Sequence, residues 1–544
     1  MKRSDFKSAR EYDLIIVGGG ITGAAVAYDA VLRGLSVALV EREDFGSKTS
    51  SATSKLIHGG LRYLANFELG LVRESLKERR VLENIAPNFV YPIPNMVITD
   101  KKSFQTKKFT LKIGMILYDI LSYDKKFTWD KSKKLPGHRS YGREATIAVE
   151  PAVEKSDLTG SLVYYDCASI FPERLTLAFI KSAAYNGADV ANYTEVNGFI
   201  TEGNRIKGVT AKDKISGKRI KITGKLVVNC AGPWADRVLS ISGKLPHAGE
   251  LRRSEGIHII TKKITEKHLV TAVTPSGRHI FIIPWRGHSL IGTTDTEYLG
   301  SPDDWKVTRK SIEGLIEEVN ISFSDRIKIS YDDILYCYVG LRPLVETETK
   351  DEDVYQSSRK YEIFDNSKDG IEGLITVEGG KYTTSRNLAV NVVNAACRKL
   401  GIKAAGSGTD KNFLAGSEIE DIEAFVRYCE ELYDKFDKKH IDYLSRIYGT
   451  EIDSVMNIAA ENRKYSEPLT PDGEMLAQVV YAVREEMALT LNDILFRRTG
   501  IGTLGHPGKT VIKKVADTAG ELLGWDAKRK KDEISEAEKK LRIP

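Results

Sequence analysis

Residues 12–41 read YDLIIVGGGITGAAVAYDAVLRGLSVALVE, which predicts a strand, a tight glycine turn, a helix and a second strand. Leu14 to Val17 form a short apolar run of the kind found in parallel strands buried on both faces. Gly18, Gly20 and Gly23 fill the pattern G-x-G-x-x-G. The first glycine allows a sharp turn, the second lets backbone approach a pyrophosphate, and the third lets the helix lie close to the strand. The helix then begins with its N–H groups towards the phosphates.

The residue after the second strand narrows the choice of nucleotide. That strand covers Ser36 to Val40, and Glu41 follows it, where a carboxylate accepts hydrogen bonds from a ribose 2′-OH. A negative charge at this position disfavours a 2′-phosphate. The motif therefore argues against NADP and leaves FAD and NAD open.

The composition limits the remaining classes of function. A chain of 544 residues is expected to form two or three domains. Its 81 Lys and Arg against 75 Asp and Glu give a net charge of +6, which argues against bulk nucleic-acid binding but permits local basic patches. The five cysteines lie far apart, so we expect no disulfide framework, no metal site and a reducing cytosol.

The chain offers no segment that predicts insertion across a membrane. The first ten residues are short and polar, so we expect no signal peptide. No apolar run reaches the length of a spanning helix, so any membrane contact is expected to be peripheral.

One basic segment leaves two alternatives open. Residues 101–134 hold ten lysines and three aspartates, a net charge of +7. Within the segment, Phe109 to Leu121 is strongly apolar, too short to span a bilayer but able to lie in its interface. The alternative is a core helix flanked by a solvated basic loop, and because most apolar helices are buried, the segment alone favours the core helix.

Three further stretches offer groups to an anion or to a nucleotide. Residues 47–54 are crowded with hydroxyl side chains. The apolar strand that begins at Leu226 stops at an Ala-Gly-Pro turn, where backbone can approach a nucleotide. A diglycine turn at Gly379 opens a predicted helix, again a geometry that suits anions.

Several motifs together carry a resemblance to a known family. They occur in the order seen in FAD-dependent sn-glycerol-3-phosphate dehydrogenases, and the resemblance covers nearly the whole chain. The motifs are HGGLRYL at 58–64, NCAGPW at 229–234, IGTTD at 291–295, VGLRP at 339–343, GGKYTT at 379–384 and REEMALTLNDILFRRT at 484–499.

The resemblance implies the fold class and its division into parts. The implied fold is α/β, with a D-amino-acid-oxidase-type, Rossmann-like FAD-binding domain, a mixed-sheet substrate cap and an α-helical C-terminal domain. The oxidoreductase domain is expected at 1–400. Its FAD-binding parts are expected at about 1–100, 150–245 and 335–400, its cap parts at about 101–149 and 246–334, a linker at 401–415 and the helical domain at 416–544.

The family reaction oxidises C2 of glycerol 3-phosphate to dihydroxyacetone phosphate, with the C2 hydride passing to flavin N5. Arg62 and Arg342 match the family positions that hold the phosphate, and arginine suits this task because its fork binds two oxygens. Lys381 matches a lysine near substrate and flavin, where it also stabilises the anionic reduced flavin. His58 and His258 are the candidates for the base, since histidine titrates in the required range.

The remaining site residues are implied by the same resemblance. Tyr63 is expected to orient the substrate or simply to pack. Thr383 and Thr384 are expected to bond the flavin or the substrate, or to cap the helix that follows. In place of the family's usual Asp-Ala-Arg sequence the chain has Phe171-Pro-Glu-Arg174, so we expect no substrate contacts there. Contacts to FAD are expected at Gly18, Gly19, Gly20, Thr22, Gly23, Glu41, Arg42, Ser50, Ser51, Lys55, Leu56, His58, Val196, Ala231, Gly232, Gly380, Lys381 and Thr383.

The family has two branches that differ in electron acceptor. Membrane-associated enzymes pass electrons to quinone, whereas oxidases use oxygen and release hydrogen peroxide. The oxidases generally carry an inserted segment that this chain lacks, which favours a quinone-linked enzyme, cytoplasmic and peripheral at the inner face of an anionic membrane. A homodimer is compatible with this interpretation. Two other hypotheses are a D-amino-acid or sarcosine-type oxidase and a non-catalytic FAD-binding protein.

Overall fold

Two β-sheets and a helical C-terminal region make up the described part of the chain. The computed structural model describes residues 1–6, 10–64, 67–100, 108–243, 251–274, 277–324, 326–344 and 361–544. The side chain of Arg62 also lies outside the described part. This architecture confirms the predicted fold class.

The first sheet brings the ends of its parallel strands to one edge. Its order is β17-β18-β10-β1-β2-β7, with β8 and β9 continuing from β10. Val17 at the end of β1 lies opposite Val40 of β2 and Asn229 of β10, so the segments that follow these strands meet at the carboxyl edge. The strands are β1 Glu11–Val17, β2 Val37–Val40, β7 Asp189–Ala191, β8 Thr194–Glu202, β9 Arg205–Asp213, β10 Arg219–Asn229, β17 Tyr361–Asp365 and β18 Leu374–Gly379.

The second sheet contains both parallel and antiparallel pairs, and its strands alternate along the chain with those of the first sheet. Its main path is β15-β11-β14-β13-β12-β4-β6-β3, and β16 pairs with β11 while β5 pairs with β6. The strands are β3 Leu56–Ile57, β4 Val90–Thr99, β5 Arg139–Gly142, β6 Gly160–Ser169, β11 Arg252–Lys262, β12 Leu269–Val273, β13 His279–Trp285, β14 His288–Gly292, β15 Thr296–Glu297 and β16 Ile334–Leu344.

The second sheet draws strands from several parts of the chain. β3, β4, β6 and β16 come from stretches expected to belong to the FAD-binding parts, and all four are strands of the second sheet. β4 pairs with β6 along all ten residues, from Val90 opposite Ser169 to Thr99 opposite Gly160. Apolar patterning predicts that a strand is buried, but not which distant strand it pairs with.

Helices cover the first sheet and form the C-terminal region. Helix α1 packs between α5 and α8 on one core of the first sheet. Among the described residues, no helix has both the length and the apolar character needed to cross a bilayer. The helices before residue 401 are α1 Ile21–Leu32, α2 Leu69–Ile85, α3 Lys108–Leu121, α4 Arg143–Val149, α5 Pro172–Tyr185, α6 Ala235–Ser240, α7 Arg309–Ser322 and α8 Ser385–Leu400.

The C-terminal region contains the predicted helices and one irregular turn. A π-helical turn, Ile494–Arg498, follows α14, and no sequence pattern predicted it. The helices are α9 Ile422–Leu432, α10 Lys438–Tyr448, α11 Ile452–Glu461, α12 Arg463–Ser466, α13 Leu476–Glu485, α14 Leu491–Asp493, α15 Lys509–Leu523 and α16 Ala527–Leu541.

Short 3-10 turns occur along the whole described chain. They cover Leu61–Leu64, Tyr123–Phe127, Lys131–Lys133, Pro151–Val153, Gly232–Trp234, Tyr331–Asp333, Asn366–Asp369 and Gly449–Glu451.

The helix of the basic segment is not the core helix that the sequence favoured. Residues 101–107 lie outside the described residues, and the apolar stretch forms α3. Only Met115 and Tyr118 of this helix are buried. Lys133 departs from the expected solvated loop, because its ammonium group is buried and donates to the carbonyl oxygens of Pro87 and Val90.

Candidate active site

A cavity of about 1280 Å³ lies between the two sheets and is the candidate active site. Its wall includes the glycine turn after β1, the segments after β2 and β10, and residues of β11 and β16. Sites for drug-sized ligands are roughly 300–1,000 Å³, so this cavity has room for a dinucleotide and a small substrate.

The glycine turn has the shape needed to hold a pyrophosphate. Gly18 has a positive φ of 108°, and a Cβ there would lie 2.6 Å from the carbonyl oxygen of Cys230. A Cβ on Gly23 would lie 1.9 Å from the carbonyl oxygen of Gly18. Helix α1 begins after Gly20, and Ser50 Oγ accepts from the N–H of Ile21, the first residue of the helix, at 2.9 Å. These contacts fit the predicted nucleotide cradle.

The carboxylate of Glu41 lies in the wall beside this turn. It accepts hydrogen bonds from the backbone N–H groups of Gly19, at 2.7 Å, and Glu43, at 2.8 Å. Burial raises the pKa of Glu41, and the two N–H groups oppose that rise. The two bonds fix the side chain where the sequence predicted a partner for a ribose hydroxyl.

A stacked pair that the sequence did not predict closes the wall near Glu41. The guanidinium of Arg42 lies 4.8 Å from the ring centroid of Trp234. Asp303 holds both groups, accepting from Arg42 at 2.6 Å and from the indole N–H of Trp234 at 2.9 Å. Trp234 belongs to the NCAGPW motif, which could have pointed to it. Within that motif, FAD contacts were predicted only for Ala231 and Gly232.

His258 is the most buried titratable group in the wall, with 1% of its surface exposed. Its Nε2 lies 2.9 Å from Ser54 Oγ, and its ring stacks on Tyr338 with centroids 5.0 Å apart. Burial, together with the positive charges of Arg342 and Lys55, lowers the pKa of His258 well below its usual value. The ring is therefore neutral at neutral pH and able to accept a proton.

Arg342 lies in the same wall, on β16, and is held by the loop after β14. Its Nη1 donates to the carbonyl oxygen of Thr294 and to Asp295 Oδ1, both at 3.2 Å. Its Nη2 donates to Thr293 Oγ1 at 2.7 Å. The guanidinium is thus oriented by three residues of the IGTTD motif, a role that the sequence alone does not predict.

Lys381 and His58 come from distant parts of the chain to the same wall. The ammonium of Lys381 lies 3.8 Å from the ring centroid of Tyr63 and donates to Ser75 Oγ at 3.4 Å. The backbone N–H of His58 donates to Thr383 Oγ1 at 3.3 Å. The cavity therefore brings both predicted histidines, Tyr63 and two of the three predicted cations together.

Part of the predicted FAD set lies outside the cavity wall, and the third predicted cation is described only in its backbone. The backbone of Arg62 lies in the turn Leu61–Leu64, but its side chain is outside the described residues. Gly19, Gly23, Ser51 and Lys55 do not line the cavity. The ammonium of Lys55 is instead buried in an ion pair with Glu173, a non-local partner that spacing cannot predict. The predicted FAD contacts that do line the cavity are Gly18, Gly20, Thr22, Glu41, Arg42, Ser50, Leu56, His58, Val196, Ala231, Gly232, Gly380, Lys381 and Thr383.

A chain of hydrogen bonds across the second sheet forms another part of the wall and was not predicted. Thr271 Oγ1 donates to Asn95 Oδ1 at 2.8 Å, and Asn95 Nδ2 donates to Tyr164 OH at 2.7 Å. These residues lie on β12, β4 and β6, which are far apart in sequence. No local pattern in the sequence links them.

Two family descriptions match most of the chain. Residues 13–386 match the family described as FAD dependent oxidoreductase. Residues 407–530 match the description C-terminal domain of alpha-glycerophosphate oxidase. The two matches coincide with the sheet-containing part and the helical part of the fold.

Similar proteins cover nearly the full length. A glycerol-3-phosphate dehydrogenase of Synechocystis sp. is 34% identical over 532 residues, covering 94% of this chain and 93% of that protein. An aerobic glycerol-3-phosphate dehydrogenase of Staphylococcus aureus is 34% identical, covering 90% and 87%. The X-ray structure of a glycerol-3-phosphate dehydrogenase from Bacillus halodurans complexed with FAD is similar, with 28% identity, a TM-score of 0.79 and coverage of 98% and 95%.

Proposed function

Because the chain belongs to the family of FAD-dependent glycerol-3-phosphate dehydrogenases, we propose that it oxidises sn-glycerol 3-phosphate to dihydroxyacetone phosphate and passes the electrons to a membrane quinone. The observation that carries the proposal is the set of groups sharing one cavity with the nucleotide cradle. That set is Arg342, Lys381, His258 and His58. It combines cations for a phosphate with bases for a hydroxyl proton.

FAD, when bound, supplies the acceptor for the hydride that leaves C2 of the substrate. The chain's own contribution is to hold it. The glycine turn would take the pyrophosphate, and Glu41 would take the ribose hydroxyls. Arg42 and Trp234 would border the adenosine end.

Arg342 and Lys381 would bind the substrate's phosphate. Both lie in the cavity wall, and the guanidinium of Arg342 is oriented by Thr293, Thr294 and Asp295. An oriented fork loses little conformational freedom when it meets two phosphate oxygens. A single carboxylate, as in an amino-acid substrate, would need only one such cation.

A neutral histidine would take the proton from the C2 hydroxyl. The lowered pKa of His258 means that its ring is unprotonated at physiological pH, and its place in the cavity wall supports it as the base. His58 is the other candidate, and it lies in the same wall.

Anaerobic mixing of the FAD-loaded protein with glycerol 3-phosphate tests the proposal. Loss of the flavin absorption band is the expected result. Bleaching only with D-amino acids or sarcosine would instead identify an amine oxidase, and no bleaching with any of these substrates would leave a non-catalytic FAD-binding protein.

An oxygen-using oxidase is the second candidate. It is favoured by the description of the family matched by residues 407–530, which names alpha-glycerophosphate oxidase. Turnover with a quinone analogue is compared with turnover in oxygenated buffer, and hydrogen peroxide is measured. Quinone-dependent turnover with little peroxide is expected. Stoichiometric peroxide and no quinone reduction would establish the oxidase.

A further inference from the structure

The HGG turn, residues 58–60, leaves the second sheet beside a buried carboxylate. Strand β3 ends at Ile57, one residue short of the position opposite Asp166 on β6. Backbone N–H groups beyond the end of a ladder need other partners. The N–H of Gly59 has two of them, since it donates to the hydroxyl of Tyr118 at 3.0 Å and to Asp166 Oδ1 at 3.3 Å. Side chains therefore hold the turn where the sheet stops.

The carboxylate of Asp166 is itself held by two donors. Arg79 of α2 donates to its Oδ1 at 2.5 Å, and Tyr118 of α3 donates to its Oδ2 at 2.7 Å. All three side chains are buried, and Arg79 also donates to Ser122 Oγ at 2.8 Å. Burial and the charge of Asp166 raise the pKa of Tyr118 well above its usual value, so the hydroxyl keeps its proton and continues to donate to the carboxylate.

The HGG turn also fits closely between α2 and α3. A Cβ on Gly59 would overlap Leu76 of α2 and the hydroxyl of Tyr118. Tyr63, in the 3-10 turn that follows, is buried in one apolar cluster with Leu76 and Tyr118. A displacement of Gly59 would therefore move both His58 and Tyr63, which line the cavity.

Helix α2 holds the opposite half of the site as well. Ser75, one helical turn before Arg79, accepts from the ammonium of Lys381 at 3.4 Å. Glu78 forms a buried ion pair with Arg386 at the start of α8, with contacts of 2.7 and 2.6 Å. Residues three and four apart share one face of a helix. One face of α2 thus connects the segment of Lys381 to the network that holds the HGG turn.

We propose that Asp166 and Tyr118 are positioning residues for the reaction, which fix the HGG turn relative to Lys381. Neither side chain lines the cavity, so both act through the turn and not on the substrate. The inference rests on the proposed function, in which the turn and Lys381 face the same substrate. Displacements of about 1 Å in such a site lower the rate by up to about 100-fold.

Tyr118→Phe tests the inference without removing a buried charge. The FAD-loaded full chain is mixed anaerobically with saturating glycerol 3-phosphate, and the rate constant of flavin reduction should fall about tenfold. Tyr448→Phe is the matched control, because it removes a buried hydroxyl of the C-terminal helices that accepts from Gln478 at 3.1 Å. Its rate constant should stay within about twofold of wild type.

Hydrogen–deuterium exchange of the same proteins supplies a readout that does not depend on activity. In wild type the amide of Gly59 should exchange slowly, because two side chains accept from it. Tyr118→Phe should speed exchange in the peptide that spans residues 57–64 by about tenfold and leave peptides of the C-terminal helices unchanged. Tyr448→Phe should leave residues 57–64 as in wild type.

Asp166→Asn is the second variant. It removes the charge that Arg79 contacts while keeping the size of the side chain. It should speed exchange at residues 57–64 and slow flavin reduction at least as much as Tyr118→Phe, with a lower melting temperature because a buried ion pair is broken.

The outcomes separate positioning from a purely structural role and from the proposed function. Faster exchange at residues 57–64 together with slower flavin reduction in Tyr118→Phe supports the inference. Unchanged exchange there, a reduction rate like that of Tyr448→Phe, or an equal rise in exchange throughout the chain would overturn it. If glycerol 3-phosphate does not bleach wild type, the proposed function fails, and the exchange data still decide whether the network holds the turn.

Discussion

The hydroxyl of Ser54 contacts the candidate base His258, and its effect on the ring is testable. It lies 2.9 Å from Nε2 and so selects the orientation of the ring. Ser54→Ala should lower kcat by about tenfold with a smaller change in KM, because a mispositioned base transfers the proton less efficiently. Steady-state kinetics at fixed pH measure both constants.

Two matched variants make the Ser54 experiment specific. Ser54→Thr keeps a hydroxyl and should restore most of kcat. Ser51 is a predicted FAD contact that does not line the cavity, and its hydroxyl donates to the carbonyl oxygen of Lys48. Ser51→Ala removes that hydroxyl and should have little effect. Equal losses in Ser54→Ala and Ser51→Ala would mean that the loop, and not the contact with His258, matters.

The pH dependence of kcat/KM follows from the burial of His258. Since its pKa is lowered, the ring stays neutral as pH falls through 6.5, and activity should decline only at more acid pH. Arg342→Gln removes one of the charges that lower this pKa, so the acid limb of the profile should move towards neutral pH. A limb near 6.5 in wild type, unmoved by the substitution, would exclude His258 as the base.

Arg342 also contributes directly to substrate affinity in the proposed function. Arg342→Ala should raise KM for glycerol 3-phosphate by about 100-fold with a smaller change in kcat, because a hydrogen-bonded charge is lost from the phosphate. Arg342→Lys keeps the charge but not the forked pair of donors, so its KM should lie between those of wild type and Arg342→Ala. An unchanged KM in Arg342→Ala would remove this arginine from the phosphate site.

At the scale of elements, the loop after β2 depends on a distant turn. Asp44, three residues beyond Glu41, accepts from Arg497 Nε at 2.6 Å and from Arg498 Nη1 and Nη2 at 2.9 and 2.8 Å. The π-helical turn Ile494–Arg498 brings two consecutive arginines to one carboxylate, which lies fully buried. The C-terminal region therefore supports the segment that carries the ribose partner.

Removing the carboxylate of Asp44 should destabilise both the loop after β2 and the C-terminal region. Asp44→Asn removes the carboxylate that Arg497 and Arg498 share, although Arg497 keeps its ion pair with Asp493. The loss of a buried partner costs about 3–5 kcal/mol. We expect a lower melting temperature and a smaller fraction of bound flavin, measured by thermal unfolding and absorbance. Asp213→Asn breaks the partly exposed pair with Arg3 and serves as the control, with a cost of no more than about 1 kcal/mol.

The elements that sequence predicted best are those whose signals are local. The strand, turn and helix from Leu14 to Leu32 depend on glycine spacing and adjacent apolar runs, and their structure agrees with the prediction. The pairing of β4 with β6 depends on contacts between residues about seventy positions apart, which periodicity does not encode. Helix α3 has the apolar content of a core helix, and only tertiary structure reveals that one of its faces is uncovered.

The residues of the candidate site also divide into those that the sequence predicts and those that only the folded structure reveals. Glu41 and the glycines follow from spacing. His58, Arg342 and Lys381 lie in the motifs that carry the family resemblance, and His258 follows from the resemblance itself. Ser54, Asp295 and Asn95 act through partners on other strands, so their contributions were visible only after folding.

At the scale of the whole molecule, Glu486 joins the FAD-binding part to the C-terminal helices. Both of its oxygens accept from Arg174 of α5 at 2.8 Å, and Lys181 of the same helix lies 3.2 Å away. Phe171-Pro-Glu-Arg174, where the expected family sequence was absent, therefore supplies an interdomain contact through Arg174. The two parts of the chain are held together by charges that water does not reach.

This contact makes stability depend on pH. Burial opposes ionisation of Glu486, but the charges of Arg174 and Lys181 outweigh burial and lower its pKa from 4.5 to about 2. Between these values the unfolded chain binds a proton that the folded chain does not. The stabilisation is therefore fully present above about pH 4.5 and is lost as pH falls through about 2.

Comparison with Glu486→Gln isolates this group from the other carboxylates. At pH 7 the variant should be less stable to urea by about 3 kcal/mol. The difference from wild type should shrink steadily below pH 4.5, because the unfolded wild-type chain then binds a proton that its folded state does not. Glu461→Gln, which breaks the exposed pair with Arg484, should cost about 0.5 kcal/mol or less. A difference between wild type and Glu486→Gln that stays constant from pH 7 to pH 3 would mean that packing, and not charge, makes this contact stabilising.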